Sequence, residues 1–453
     1  MTPLITRENS GLLTDLYELT MAAGYFQSGF EARATFELFV RELPPERNYL
    51  VAAGLEQALD FLEDVRFASE DIDYLRGLDF FEHVRPEFFD FLLGFRFTGE
   101  VWAVPEGTVI FANEPILRVT APIIEAQLVE TRLLSAINFQ TMVASRATRL
   151  ITAAAGKPVV EFGARRAHGA EAGIFAARAA WIAGCAGSSN VFACKMFGIP
   201  PYGTQAHSWI MAYEDESEAF ARFLDVFPER ATLLLDTYNV QAALKKAIAA
   251  GRKPAGVRLD SGDMAADSRW VRARLDRAGW HDVQIFVSGD LDENKISSLL
   301  RRGARIDAFG VGSALVAPTD ARNLSMIYKL VELEIAGSRR EAVKLSEAKA
   351  TFPGRKQVFR FADAKGKWKS DLIALASETH KGAETVLQPV MRAGKRCAPA
   401  EPLGAARNRL AESLTRFPAS ILSTDRVTRY PVRHSLPLKK LLDKVRRRIR
   451  QHS

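Results

Sequence analysis

Apolar runs and helix-like segments alternate regularly in the middle of the chain. Short runs rich in β-branched residues lie at 158–162, 231–236, 256–260, 283–288 and 306–311. Segments with helical periodicity follow most of them, at 170–184, 240–251, 264–279 and 292–303. Strands that are apolar throughout and alternate with amphipathic helices are typical of buried parallel sheets. The pattern predicts an α/β fold, either an irregular parallel (β/α) barrel or a doubly wound sheet, with fewer than eight strands evident.

The two flanking regions have a different pattern. Seven phenylalanines crowd residues 80–97, which predicts a helix packed on a core. Short β-rich pieces, which predict a small and mostly antiparallel sheet, lie at 101–104, 109–112 and 116–120. A long helical pattern begins at 123. Beyond 340 we expect small β elements and a helix near 405–415 that pack back on the N-terminal region.

These changes of pattern divide the chain into four predicted segments. They are an N-terminal α+β domain over 1–130, a (β/α) barrel-like domain over 131–335, a small β/α region over 336–432 and a basic tail over 433–453. We expect part of the C-terminal region to join the N-terminal one in a second, mixed α+β domain.

The positive charge of the chain is concentrated at its C-terminus. The 453 residues include 61 Lys and Arg and 54 Asp and Glu, a formal net charge of +7. From Arg433 onward there are eight bases and one acid, so this segment carries the whole net charge. The balanced body argues against a nucleic-acid-binding domain. We expect the tail to be a frayed, solvated helix; the alternative is a tail that binds an anionic surface.

Other compositional features favour a cytoplasmic protein without a membrane segment. The three cysteines, Cys185, Cys194 and Cys397, show no CxxC spacing, which indicates reduced thiols. The first nine residues contain no apolar run of the kind found in signal peptides. No stretch of 18 uncharged apolar residues occurs anywhere.

Polar residues and glycines recur where the predicted strands end. They are Arg165, Asp236, Arg258, Asp260, Ser288, Gly289, Gly310, Gly312 and Ser313. Because the carboxyl ends of parallel strands share one edge, we expect these residues to lie together. Glycine turns let backbone N–H groups approach phosphate, and arginine binds a carboxylate or phosphate with two parallel hydrogen bonds. The set predicts a site for an anionic ligand.

The aspartates of this set admit two interpretations. Asp236, Asp260 and Asp263 could hold Mg²⁺ or the hydroxyls of a sugar. Alternatively, an aspartate that precedes a helix caps its N-terminus. We interpret Asp263 as a helix cap, and Asp260, inside Arg-Leu-Asp-Ser-Gly, as functional.

His207 differs from the other histidines in its surroundings. It ends the sequence Gly-Thr-Gln-Ala-His, which includes Thr204, and it precedes a helix. A lone histidine is more often structural, but among phosphate-type loops it is a candidate acid, base or phosphoryl acceptor. No Cys/His spacing indicates zinc, and no P-loop motif is present, so any use of ATP would not involve a P-loop.

Several motifs, taken together and in this order, resemble the nicotinate phosphoribosyltransferase family. They lie at 14–21, 161–167, 187–191, 203–209, 235–238, 256–263, 287–290, 310–313 and 328–330. Examples are Thr-Asp-Leu-Tyr-Glu-Leu-Thr-Met in the first, Glu-Phe-Gly-Ala-Arg-Arg-Ala in the second and Gly-Val-Arg-Leu-Asp-Ser-Gly-Asp in the sixth. Beyond about 340 the chain is similar to the family only in general character.

The resemblance implies an activity and roles for particular residues. The family transfers a phosphoribosyl group from phosphoribosyl pyrophosphate to nicotinate, with Mg²⁺, in NAD salvage, and couples the reaction to ATP through a phosphohistidine that matches His207. Tyr17, Thr204 and Arg258 match nicotinate-contacting positions, and Arg165 lies in a matching basic motif. Ser313 matches a contact to phosphoribosyl pyrophosphate that is often threonine in the family.

The resemblance also implies a fold and an assembly. The fold would be the irregular (β/α) barrel of type II phosphoribosyltransferases with a second α+β domain. The family usually forms homodimers in which the segment of Tyr17 completes the partner's site. The alternatives are a nicotinamide or quinolinate phosphoribosyltransferase and, in another class, a non-enzymatic binder of anionic surfaces.

Overall fold

A computed structural model describes residues 9–345 and 351–452 of the chain. The start of the chain, to which the expectation about a signal peptide refers, lies almost wholly outside the described residues. Two compact units are present. The terminal unit comprises the residues up to 142, 323–421 and those from 426 onward, and the central unit comprises 143–322 and 422–425.

The first part of the chain mixes helices with short strands. Its elements are α1 (Leu16–Gln27), β1 (Arg33–Val40), β2 (Leu50–Val51), α2 (Leu55–Asp64), α3 (Ser69–Arg76), α4 (Pro86–Leu93), β3 (Glu100–Ala103), β4 (Val109–Ile110), β5 (Pro115–Pro122), α5 (Ile123–Leu128) and α6 (Glu130–Ala153).

The middle part alternates strands with helices. Its elements are β6 (Val159–Glu161), α7 (Ala170–Ile182), β7 (Gly187–Ser188), α8 (Val191–Phe197), α9 (His207–Met211), α10 (Glu216–Val226), β8 (Thr232–Leu234), α11 (Val240–Ala249), β9 (Gly256–Leu259), α12 (Met264–Arg277), β10 (Gln284–Val287), α13 (Glu293–Arg301), β11 (Ala308–Val311) and α14 (Ser313–Val316).

The last part is mostly antiparallel β structure followed by helices. Its elements are β12 (Met326–Ile335), β13 (Ser338–Glu341), β14 (Lys356–Ala362), β15 (Trp368–Leu375), β16 (Ala383–Thr385), β17 (Gln388–Arg392), β18 (Lys395–Arg396), α15 (Leu403–Arg416), α16 (Ala419–Leu422), β19 (Val432–His434) and α17 (Leu436–His452). Short 3₁₀ turns occur at Ser10–Leu12, Asp79–Phe81 and Ala164–Arg166.

The central unit is built on one parallel sheet. Six strands lie in the order β7-β6-β11-β10-β9-β8, and every neighbouring pair is parallel. The inner strands are buried because both faces of the sheet are covered; Val257, Leu259, Ile285, Val287 and Phe309 are fully inaccessible to solvent. The predicted parallel α/β fold is confirmed. The two-residue strand β7, Gly-Ser, has no apolar pattern and was not predicted.

The terminal unit carries the predicted mixed α+β architecture. Its seven-stranded antiparallel sheet has the order β13-β12-β1-β5-β3-β17-β18, so strands from both ends of the chain share one sheet. A second sheet, β16-β14-β15-β19, is mixed because β15 and β19 run parallel. Among the described helices of the chain, none is both long and apolar enough to cross a bilayer.

The basic C-terminal segment is docked, so the expected frayed helix is wrong. Leu438, Leu442 and Val445 recur on one face of α17 and are buried. Arg448 donates from Nη2 to the carbonyl oxygen of Glu341 at 2.6 Å. The apolar spacing i, i+4, i+7 gives the helix a face that gains free energy by packing, while its lysines and arginines stay on the other face.

Candidate active site

Arg258 is the centre of a hydrogen-bonded cluster at the carboxyl edge of the parallel sheet. Its Nε donates to Ser288 Oγ at 2.7 Å, and its Nη2 donates to Asp260 Oδ1 at 2.6 Å. Its Nη1 donates to Thr204 Oγ1 at 2.9 Å and to the carbonyl oxygen of Gln205 at 3.2 Å. The cluster forms because neighbouring strands are in register, with Leu259 beside Val287. Four residues predicted for the site are therefore in direct contact.

The surroundings of Asp260 favour its ionised form. Burial alone would raise its pKa, but the Ser288 hydroxyl, which donates to Oδ1, and the Arg258 guanidinium outweigh that effect and lower the pKa. The second oxygen, Oδ2, is 3.8 Å from Nε2 of His207. Asp260 is thus an ionised carboxylate at neutral pH whose free oxygen faces the histidine.

The other two aspartates have different environments. Asp236 Oδ2 accepts from the backbone N–H of Asp260 at 3.0 Å and from Ser261 Oγ at 2.5 Å. Its Oδ1 is buried and has no hydrogen-bond partner among the described residues. Asp263 accepts from the backbone N–H of Ala266 at 3.2 Å at the start of α12, so the interpretation as a helix cap is confirmed.

His207 is the first residue of α9, and one ring nitrogen is held in place. Its Nδ1 is 3.2 Å from Thr237 Oγ1, and the side chain is 40% exposed. A hydrogen bond at one ring nitrogen determines whether the other nitrogen carries the proton in the neutral ring. The ring is therefore oriented and open to a ligand.

Gly289, in a turn, and Gly310, in strand β11, need glycine for different reasons. Gly289 has φ +97°, and a Cβ there would come within 1.8 Å of the carbonyl oxygen of Asp260. The next residue, Asp290, also has positive φ, +46°, which is uncommon outside glycine and concentrates at functional turns. Gly310 instead makes room for the rings of Phe162 and Phe286, each 2.8 Å from the place of a Cβ.

Two cavities adjoin this cluster. The arginine cavity, of about 380 Å³, is lined by Arg165, Arg166, Lys295, Gly289, Gly312 and Ser313, among others. The histidine cavity, of about 500 Å³, is lined by Ser189, Gly203, Thr204, Gln205, Ala206 and His207. Phe162, Arg165, Arg258 and Asp260 line both and form a shared wall. Such a pair of cavities can hold two ligands that meet at the wall.

Comparison with known proteins gives the family. A model described as the nicotinate phosphoribosyltransferase N-terminal domain matches residues 12–138, and one described as the nicotinate phosphoribosyltransferase family matches 158–369. A nicotinate phosphoribosyltransferase of Mycobacterium tuberculosis is 45% identical over 436 residues, which cover 94% of this chain and 92% of that protein. The chain belongs to the nicotinate phosphoribosyltransferase family. It is an enzyme of that family, as predicted from the motifs.

Two further nicotinate phosphoribosyltransferases agree with this assignment, and a third protein, with a different name, shares the fold. A nicotinate phosphoribosyltransferase of Bacillus subtilis is 41% identical over 383 residues, 82% of this chain and 77% of that protein. The crystal structure of human nicotinic acid phosphoribosyltransferase is 27% identical, with a TM-score of 0.82 over 95% of this chain and 99% of that one. A nicotinate-nucleotide pyrophosphorylase from Pyrococcus furiosus is 25% identical, with a TM-score of 0.73 over 92% and 98%.

Of the residues predicted for a family site, Tyr17 alone belongs to the terminal unit. It lies on α1 with 45% of its surface exposed. Burial of the phenol, followed by the charges of Glu130 and Glu18, raises the pKa of Tyr17. The phenol is therefore neutral at physiological pH, with part of the ring open to solvent.

Sequence reasoning missed several residues that line the two cavities of this family member. Phe162 and Arg166 lie inside the motif at 161–167 and line the arginine cavity. Thr237, in the motif at 235–238, lines neither cavity but contacts His207 Nδ1. Nothing in the sequence singled out Lys295, because a lysine in an amphipathic helix is ordinarily solvated. In the structure its Nζ donates to the carbonyl oxygen of Asp290 at 2.7 Å, and the residue lines the arginine cavity.

Proposed function

We propose that this enzyme transfers the phosphoribosyl group of phosphoribosyl pyrophosphate to nicotinate, giving nicotinate mononucleotide and pyrophosphate, in cytoplasmic NAD salvage. The observation that carries the proposal is the pair of cavities with a shared wall of Phe162, Arg165, Arg258 and Asp260. A group transfer between two bound substrates needs two subsites that meet where the bond is made.

The arginine cavity suits phosphoribosyl pyrophosphate. Among the described residues, four bases and two acids line it. Arg165 and Arg166 are exposed and have no ion-pair partner in the described part of the chain, so their guanidinium groups are available to phosphate oxygens. The backbone turns at Gly289 and Gly312, with the hydroxyl of Ser313, add donors for the same ligand.

The shared wall suits the pyridine ring and its carboxylate. The Phe162 ring lies 6.0 Å from the Arg258 guanidinium, so a planar anion that stacks on the ring lies beside the cation. Arg258 uses most of its donors inside the cluster, and the exposed Arg165 is the second cation in reach of that wall. Thr204 holds Nη1 of Arg258 and so contributes to nicotinate recognition through it.

The transfer breaks the bond between ribose C1 and the pyrophosphate oxygen, and both electrons leave with the oxygen. The pyridine nitrogen of nicotinate forms the new bond at C1. Positive charge develops on the sugar, and an ionised carboxylate such as Asp260 stabilises it. The charge that develops on pyrophosphate is matched by the cations of the arginine cavity.

Mg²⁺ fits the carboxylates of this site. Among the described residues no group of three or more potential ligands lies together, but Mg²⁺ ordinarily takes one or two carboxylates together with substrate phosphates and water. The buried, unpartnered Oδ1 of Asp236 and the free Oδ2 of Asp260 are the oxygens that would hold it. When bound, Mg²⁺ would neutralise charge on pyrophosphate.

ATP is the proposed co-substrate, and His207 is the proposed phosphoryl acceptor. A ring nitrogen attacks the γ-phosphorus, the bond to the β-phosphate oxygen breaks, and ADP leaves. Water later takes the phosphoryl group from the imidazole. Thr237, at Nδ1, and Asp260, near Nε2, are the residues that orient the ring for this reaction.

A homodimer is the proposed assembly. Exposed apolar side chains occur on α1 (Leu16, Tyr17 and Met21) and on α8 (Val191, Phe192 and Met196). Such surfaces are typical of contacts between chains. If Tyr17 completes the partner's site, a mixture of Tyr17→Ala and Arg258→Ala proteins should exceed the activity of either variant alone at low nicotinate concentration, and no gain would contradict the shared site.

Pyrophosphate release tests the proposed reaction. We expect rapid release from phosphoribosyl pyrophosphate with nicotinate, faster still with ATP, and only slow release with nicotinamide or quinolinate. A preference for either of the latter bases would assign the chain to that reaction instead. Replacing the exposed Lys439, Lys440 and Lys444 of α17 with glutamine keeps the docked helix and should leave turnover intact, whereas a tail-driven binder of anionic surfaces would lose its function.

A further inference from the structure

Glu161 is a buried carboxylate with no cation beside it. It ends β6, is fully inaccessible to solvent, and has no basic side chain within ion-pair distance in the described part of the chain. Its Oε2 accepts from Ser188 Oγ at 2.5 Å, and its Oε1 accepts from the backbone N–H of Gly163. Burying an unpaired carboxylate costs free energy, and an apolar or neutral residue would avoid that cost.

The backbone N–H of Gly163, which donates to Glu161, belongs to the loop between β6 and α7. Gly163 precedes the turn Ala164–Arg166, and its carbonyl oxygen accepts from the backbone N–H of Arg166 at 2.7 Å. A Cβ on Gly163 would lie 2.2 Å from Val316 and 2.8 Å from Glu161 Oε1. The loop backbone therefore rests directly on the carboxylate, and the turn that carries Arg165 and Arg166 starts there.

The Ser188 hydroxyl, the other group that donates to Glu161, lies at the end of β7, where the turn to α8 begins. Ser188 Oγ donates to Glu161 and accepts from the backbone N–H of Asn190 at 2.9 Å. The backbone N–H of Ser189 donates to the carbonyl oxygen of Glu161 at 2.9 Å. One residue thus holds both loops, through its side chain and its main chain.

The two loops reach both cavities. Arg165 lines the arginine and the histidine cavity, Arg166 lines the first, and Ser189 lines the second. Glu161 itself lines neither, so any effect on substrates passes through these neighbours.

We propose that Glu161 is a positioning residue for the transfer reaction: it sets the placement of Arg165 and Arg166 and, through Ser188, of the Ser189 turn. The inference rests on the proposed function. A carboxylate offers an acceptor to each of the two donors, whereas a glutamine offers one oxygen and one N–H group. In Glu161→Gln, therefore, either the Gly163 N–H loses its acceptor or the Ser188 hydroxyl must turn and accept from the amide. The charge-free isostere therefore disturbs one loop without leaving a cavity.

The test compares Glu161→Gln, Ser188→Ala and the double variant. The KM for phosphoribosyl pyrophosphate should rise between about tenfold and a hundredfold in Glu161→Gln, the range expected for a misplaced binding group, with a smaller fall in kcat. The double variant should be no worse than Glu161→Gln, because the serine acts through the glutamate. Asp307→Asn is the matched control: this carboxylate accepts from the backbone N–H of Ile285 at 2.7 Å at the amino edge of the sheet, and both KM values should stay unchanged.

Two results would overturn the proposal. One is a Glu161→Gln protein whose KM and kcat, measured per folded molecule, equal those of the wild type, whatever its melting temperature. A carboxylate with a purely structural role would give that result. The other, decisive if Glu161→Gln does not fold, is an unchanged KM in Ser188→Ala. If the wild-type chain shows no turnover with nicotinate, the proposed function fails separately, and calorimetric affinity for phosphoribosyl pyrophosphate in the same variants still decides the role of Glu161.

Discussion

Each unit of the molecule contains an arginine–aspartate pair with the same 2.6 Å separation, in opposite surroundings. In the central unit, Arg258 and Asp260 have side chains 10% and 28% exposed. In the terminal unit, Arg360 and Asp371 are 3% and 0% exposed. The distance alone therefore does not distinguish a ligand site from a structural ion pair.

The pair in the terminal unit is sealed by its neighbours. Arg360 Nε contacts both oxygens of Asp371, at 3.0 and 3.1 Å, and Nη2 also donates to the carbonyl oxygen of Val109 at 2.8 Å. The rings of Phe111, Trp368 and Phe417 lie 5.4–5.7 Å from the guanidinium. Asp371 also accepts from the buried Tyr430 hydroxyl at 3.2 Å, so its oxygens are occupied within the fold. Arg360 lines a cavity of about 340 Å³, but with 3% and 0% of the two side chains exposed, little of the pair is open to a ligand there.

The pair in the central unit has exchangeable partners. Arg258 also binds the hydroxyls of Thr204 and Ser288, and Asp260 keeps one oxygen toward His207. Hydroxyl groups can rotate to serve a ligand, and two cavities open on the pair. The difference teaches that the candidate site is marked by the partners that remain available to a ligand and not by the distance between the charges.

The largest expected effect is on the sealed pair. Arg360→Met leaves the carboxylate of Asp371 buried without its cation, so the free energy of unfolding should fall by about 3–5 kcal/mol. Urea unfolding measures this. Arg222→Ala, which removes an exposed ion pair to Glu218, is the control and should cost less than about 1 kcal/mol. Equal losses in the two variants would contradict the distinction between the pairs.

Changing Arg258, in the pair of the central unit, should weaken substrate binding. Losing a charge-assisted hydrogen bond costs about 1.5–3 kcal/mol, so Arg258→Ala should raise the KM for nicotinate roughly ten- to a hundredfold. The KM for phosphoribosyl pyrophosphate should change much less. The competing explanation is that Arg258 only holds Asp260 and Ser288 in place. Equal weakening of both substrates together with a lower melting temperature would favour that explanation.

His207 should affect only the ATP-dependent part of turnover. His207→Ala removes the proposed phosphoryl acceptor next to Asp260, so ATP stimulation should disappear while slow phosphoribosyl transfer remains. His281→Ala is the control, because His281 is exposed and near Asp276. Steady-state rates with and without ATP measure the effect, and undiminished ATP coupling in His207→Ala would show that the acceptor lies elsewhere.

The smallest expected effect is a change in pH dependence beside the sealed pair. Burial and the nearby Asp371 carboxylate raise the pKa of Glu114 well above its ordinary value, against the opposing charge of Arg360. The folded chain keeps a proton there that the unfolded chain releases, so stability falls as pH rises from the ordinary carboxyl pKa toward the raised one. At acid pH, where both states hold the proton, Glu114→Gln should change stability by at most about 1 kcal/mol, and at higher pH it should remove that slope.

The pH dependence of stability that Asp260 contributes should have the opposite sign to that of Glu114. Its lowered pKa means that the ion pair stabilises the fold above the ordinary carboxyl pKa, and this contribution is lost as pH falls through the lowered value. In Asp260→Asn, therefore, the free energy of unfolding should no longer contain the fall that this ion pair contributes as the pH is lowered. Unfolding free energies across pH for both variants measure the two slopes, and slopes of the same sign would refute the comparison.

Much of the fold and several residues of the candidate site could be predicted from local pattern. The apolar runs predicted the parallel sheet because a strand buried on both faces must be apolar throughout. Arg258, Asp260 and Ser288 were singled out because they occur at strand ends, and the cap role of Asp263 depended on its position before a helix. Each of these inferences uses residues that are close in the chain.

The tertiary structure alone decided which distant groups meet. Strand register joins Glu161 to Ser188, 27 positions away, and gives the carboxylate no cation. The same packing shows that Gly310 makes room for aromatic rings and that α17 has a surface on which to dock. Periodicity in the sequence determines which face of an element is apolar, but the groups that this face meets depend on contacts between segments far apart in the chain, and those contacts exist only once the sheet is assembled.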